Sequence, residues 1–130
     1  MNKDSKLFIV KNIENIAASS EEERLEFEPI EGLQGWYLQT YTAEEAGLDW
    51  VVLSCEANAD VNPLHSGGDV NWLGWVADGP IEMILGGADE VQTSSRIVQP
   101  GDYLTFAPDT FHGWVPGSNP ARLVFVKLKG

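Results

Sequence analysis

At 130 residues, with 43% hydrophobic content, five Trp and five Phe, the chain has apolar bulk for one core and too little length for a second domain. Twenty acidic against eight basic residues leave a net charge of −12, which repels phosphate backbones and anionic lipid, so nucleic acid is not an expected partner and solubility is the plain consequence. The single cysteine excludes an intramolecular disulfide, the start MNKDSKLFIV has no signal-peptide pattern, and no apolar run reaches the roughly 18 residues of a membrane span, so a cytoplasmic protein without a membrane partner is expected.

In chain order, Leu7 to Ile13 (LFIVKNI) is β-branched enough for a strand, and residues 1–16 read as an added edge strand or an arm that pairs with a second subunit. Ala17 to Arg24 (AASSEEER), with Ser20 as N-cap, fits either one helical turn or a charged loop. Glu28-Pro29 and Glu31-Gly32 mark turns, and Gly35 to Tyr41 is a strand with Trp36, Leu38 and Thr40 on one face. Trp50 to Ala59 alternates strictly and turns Val51, Leu53, Cys55 and Ala57 to one side, where Cys55 reads as a small buried hydrophobe.

Asp60 to Val70 is polar and turn-rich around His65. Strand character resumes at Trp72 to Ala77, Ile81 to Leu85 and Ser94 to Val98, separated by Asp78-Gly79-Pro80 and Gly86-Gly87. Pro100-Gly101-Asp102 is turn chemistry, because Pro fixes φ at the first corner and Gly accepts positive φ at the second. Tyr103 to Phe106 follows as a short strand, and Ala107-Pro108-Asp109 stops it, since Pro108 has no N–H for a ladder. Together they deliver His112 to a fixed place. Ala121 to Leu128 closes the chain with a last strand. About nine short strands, and no sustained helical period, indicate an all-β sandwich or barrel.

Two spacings carry a family resemblance. Gly101 stands eleven residues before His112, with Pro108 and Asp109 keeping a bend between them; His65, Trp75-Val76 and Gly79 repeat the spacing of an earlier motif. From Ala59 to Trp114 the chain resembles a small single-domain cupin. The resemblance implies a cupin jelly-roll barrel of two antiparallel sheets, a single domain over 1–130 with the conserved barrel from about 50 to 128, and motif side chains projecting into the lumen. It departs from the family where Ala59 replaces the first Gly, Gly67 the second motif histidine and Trp72 the glutamate, so that of four usual metal ligands only His65 and His112 remain.

A divalent metal in such a pocket wants about three or four N and O donors. Asp69 or Asn71 could complete a shell of Zn, Ni, Fe or Mn with His65 and His112 if the loop folds inward; both residues are also ordinary turn formers. An indole cannot ligate, so Trp72 either blocks such a site or walls a pocket for a flat ligand, with Trp36, Met83, Phe106 and Trp114 as further lining residues or core. Arg96 and Arg122 fit surface partners of the many acids, or, facing inward, a substrate carboxylate.

Three functions stay open. The chain binds a small organic molecule in the lumen without a full metal site, with His65 and His112 as hydrogen-bonding or acid–base catalytic groups; or it is a metal-dependent enzyme of the isomerase, lyase, cyclase or dioxygenase type; or its lumen is filled and its role structural. A homodimer through or near the Leu7 to Ile13 strand is expected.

Overall fold

The computed structural model describes residues 27–43 and 48–128, and the expected strand at Leu7 to Ile13 and helical turn at Ala17 to Arg24 lie outside them. Ten strands run in order: β1 (Glu28–Pro29), β2 (Trp36–Ala43), β3 (Leu48–Cys55), β4 (Asn62–Ser66), β5 (Asn71–Asp78), β6 (Ile81–Gly86), β7 (Gln92–Val98), β8 (Tyr103–Phe106), β9 (Phe111–Val115) and β10 (Ala121–Leu128). Among the described residues no helix is long and apolar enough to cross a membrane.

The strands form two antiparallel sheets that face one another as a jelly roll: six strands in the order β1-β2-β3-β10-β5-β8, and four in the order β4-β9-β6-β7. Each expected strand from Gly35 onward is present within a few residues of its expected ends. Pro100 and Gly101 occupy the corners of a turn closed by Asp102 N–H donating to Gln99 O at 3.0 Å, with Gly101 at φ +93°. Asp109 sits at φ +59°, the left-handed conformation that Asp tolerates better than most side chains.

One expectation fails here. Asp60 to Val70 was expected as loop, yet its middle is the edge strand β4. Pro63 argues against a strand in sequence, but β4 bulges at that point: Asn62 pairs with Trp114 and His65 with His112, three steps on one strand against two on the other. The bulge also changes which way His65 faces. In regular pleat Asn62 and His65 would point to opposite sides; the extra residue lets both turn toward the interior. Gly113 makes room for it, because a Cβ there would lie 2.5 Å from Asn62 O and 2.9 Å from the Pro63 carbonyl carbon.

Cross-strand register stacks the interior in layers. Trp36, Cys55 and Ala121 form one, and Leu38, Leu53, Leu123 and Val76 the next; Val51 and Phe125 lie beyond them, toward Trp72 and His112. Ile81, Met83, Val98 and Trp114 complete the buried cluster from the four-stranded sheet.

Candidate functional site

His65 and His112 are direct cross-strand partners on β4 and β9, so the sheet itself sets the distance between their side chains. Their ring centroids are 4.6 Å apart with planes tilted by 51°. The two imidazoles therefore stand side by side on one wall. Each is oriented by main chain two residues earlier: His65 Nδ1 lies 2.8 Å from Pro63 O, and His112 Nδ1 3.3 Å from Thr110 O. A carbonyl only accepts, so Nδ1 carries the hydrogen in both rings, and the distal Nε2 edge is turned away from the backbone.

His65 is exposed, whereas His112 is buried among rings. Phe106 stacks on His112 at 4.3 Å and 13°, and Trp114 meets it edge-on at 5.9 Å. Burial first, and then the charge that His65 can carry, push the His112 pKa down from 6.5 to about 4, against a smaller upward effect of the Thr110 carbonyl. His112 is a neutral imidazole at physiological pH.

Both rings border a cavity of about 530 Å³. One side comes from Leu38, Val51, Leu53, Trp72, Phe106 and Phe125 of the six-stranded sheet, and the other from His112 and Trp114 of the four-stranded sheet. The turn between β1 and β2 adds Ile30 and Leu33, and is held by Trp36 N–H to Leu33 O at 3.3 Å and Gln34 N–H to the Asp60 carboxylate at 2.9 Å. Asn62, Pro63, Ser66 and Gly67 complete the rim beside His65, and among the described residues no Asp, Glu, Lys or Arg lines the space.

Of the residues expected to line the lumen, Trp72, Phe106, Trp114, His65 and His112 do so. Trp36 and Met83 do not, and that expectation is corrected. Trp36 is 1% exposed in the Cys55 and Ala121 layer, with its indole N–H donating to Asp60 O at 2.6 Å, and Met83 is packed beside Trp114 in the core. Alternation gave their face correctly but not their depth, which the register sets. Phe125, Ile30 and Leu33 were missed: Phe125 follows from the Ala121, Leu123, Phe125 alternation on β10, while nothing in the sequence signals that the β1–β2 turn folds over the cavity. Arg96 and Arg122 are not among the lining residues, and Arg122 lies over the Phe27 ring at 5.2 Å. Cys55 is buried, and burial pushes its thiol pKa up, so it is no nucleophile.

Asp69 does not join the pair. It is exposed in the loop between β4 and β5, and among the described residues no three His, Cys, Asp or Glu side chains gather in a group that could hold a metal ion. Trp72 and Gly67 explain the missing donors in space. A Cβ on Gly67 would point at His112, 3.6 Å from Cε1, but would meet the Trp72 indole at 3.1 Å; that indole donates to Gly67 O at 2.8 Å. The indole fills the place where further ligands would converge on the pair, and two imidazoles alone do not fit a resident divalent metal.

No protein-family model and no curated protein sequence matches the chain. Solved structures do. The polyketide cyclase RemF from Streptomyces resistomycificus is 17% identical, with 79% of this chain and 72% of that chain covered at a TM-score of 0.64. A cupin-2 domain protein from Rhodospirillum rubrum is 12% identical over 81% of this chain and 69% of that one, at 0.62. An Fe(II)-containing HppE is 13% identical over 98% and 63%, at 0.66. The chain spans about half the length of the DMSP lyase chains that it also matches. These likenesses show that the fold is the cupin jelly roll.

Proposed function

We propose that this cupin-fold chain binds a small organic molecule in the lumen of its barrel, with His65 and His112 as the polar contacts between aromatic walls and without a full metal site. The observation that carries this reading is the cavity of about 530 Å³ bordered by the imidazole pair, a size and an apolar lining suited to a small ligand. It also argues against a filled lumen and a purely structural role. Screening metabolites by Trp fluorescence tests it: a ligand should shift the emission, and Trp72→Ala should abolish the response. No shift across a broad screen would count against any lumen ligand.

A second reading, a metal-dependent enzyme, has the Fe(II) in the similarly folded HppE and the adjacent imidazoles in its favour. The two-donor set weighs against it. Metal analysis of protein purified without a His tag discriminates: about one equivalent of Zn, Ni, Fe or Mn, lost in His65→Ala, would establish a metal site and displace the first reading.

A homodimer belongs to the same proposal. Among the described residues β7 pairs only with β6, six of its seven residues are exposed, and its sequence QTSSRIV contains no acid in a chain of net charge −12. That edge can meet a second copy without setting acid against acid. Sedimentation equilibrium of the wild type and of Ile97→Lys tests it; a monomeric wild type would end it.

A further inference from the structure

The cavity restricts the chemistry of what it can hold, and the restriction comes from its polar atoms. Among the described residues, none of its lining side chains is an Asp, Glu, Lys or Arg. A carboxylate, phosphate or ammonium placed there would lose its hydration with no fixed countercharge from an Asp, Glu, Lys or Arg side chain among the described residues. An uncharged ligand avoids that cost.

The available hydrogen-bonding positions then specify its polar group. Trp72 N–H is committed to Gly67 O at 2.8 Å, and Ser66 Oγ accepts from Gly68 N–H at 3.0 Å. Nδ1 of both histidines faces its own main-chain carbonyl, which turns the distal nitrogen of each ring to the cavity, and in the neutral His112 ring that nitrogen is a lone-pair acceptor. The Asn62 amide and the Ser66 O–H border the same space and can donate as well as accept. A hydroxyl, which donates to an imidazole nitrogen and accepts from such neighbours, matches this set. The lining adds a preference: Trp72, Phe106, Trp114 and Phe125 border the space and are packed against one another or against His112. An aromatic ring meets such a surface in the offset or edge-to-face contacts that rings favour.

We infer that the lumen ligand is an uncharged molecule with a flat apolar ring and a hydroxyl, of the phenol or enol class, whose O–H donates to the distal nitrogen of the His65–His112 pair. The inference rests on the cavity being a ligand site, and a matched series of probes separates the two ideas. Titrations of the intact chain with 2-naphthol, naphthalene and 2-naphthoate, followed by NMR, hold the ring constant while the polar group changes. 2-Naphthol should bind about tenfold more tightly than naphthalene, and 2-naphthoate no more tightly than naphthalene. In His65→Phe, a change at an exposed position, the ratio of 2-naphthol to naphthalene affinity should fall toward one. Equal binding of 2-naphthol and naphthalene by the wild type would overturn the hydroxyl while leaving the lumen reading intact; tightest binding of 2-naphthoate would overturn neutrality. Failure of all three probes to bind would overturn both.

Discussion

The two ends of this barrel are built by the same strands and filled in opposite ways. On β10, Ala121 and Leu123 face the packed end and Phe125 the hollow one; on β5, Val76 gives way to Trp72, and on β9 Trp114 gives way to His112. At the packed end Trp36, Cys55, Val76, Ala121 and Leu123 bury one another. At the hollow end rings from the two sheets touch, Phe106 on His112 and Trp114 against Phe125, and Trp72 N–H donates to Gly67 O at the rim. Rings are stiff and pack edge-on or face-on, so they border a cavity and do not fill it. Close packing is therefore concentrated at one end of the molecule and the cavity at the other.

Matched truncations should expose that contrast most strongly. Leu123→Ala, at a position 1% exposed, should cost roughly 2–5 kcal/mol in denaturant unfolding, whereas Leu38→Ala, in the same layer but bordering the cavity and so only enlarging it, should cost roughly 1 kcal/mol. Equal losses would mean that the hollow end is as tightly packed as the other.

Acid should weaken the hollow end next. The folded His112 pKa of about 4 lies below its ordinary 6.5, so between those values the unfolded chain binds the proton that the native chain refuses. This contribution is complete above about pH 6.5 and is lost as pH falls through about 4, amounting to something on the order of 3 kcal/mol. Stability curves for the wild type and His112→Asn should diverge across that window; parallel curves would show that His112 titrates as an ordinary imidazole.

Gly113→Ala tests how the pair is held. A Cβ there would meet main chain, which cannot swing aside, so the variant should lose roughly 1–3 kcal/mol and the NOEs between the two imidazoles. Smallest of all, Asp69→Asn should change stability by less than about 0.5 kcal/mol and leave binding of 2-naphthol unchanged. A clear loss of binding would return Asp69 to the site.

The difference between the ends also separates what could be read in the chain from what could not. Period-two alternation in β3, the Pro100-Gly101 turn and the spacing from Gly101 to His112 depend on neighbours a few residues away, so they identify strands and the jelly roll without coordinates. Alternation likewise tells which face of a strand Trp36 or Trp72 occupies. How deep each lies depends on register with strands far along the chain, which is why Trp36 and Met83 are core while Trp72 lines the cavity.

By itself, then, the sequence determined an all-β chain of cupin type, a −12 charge and two histidines at motif positions, because backbone preference, charge and spacing are local properties. Only the tertiary structure decided that β4 is a bulged strand, that the bulge sets His65 beside His112, and that Asp69 stays outside. Those outcomes depend on main chain packing against main chain at Gly113 and on an indole lying over Gly67, contacts between segments that no local pattern encodes.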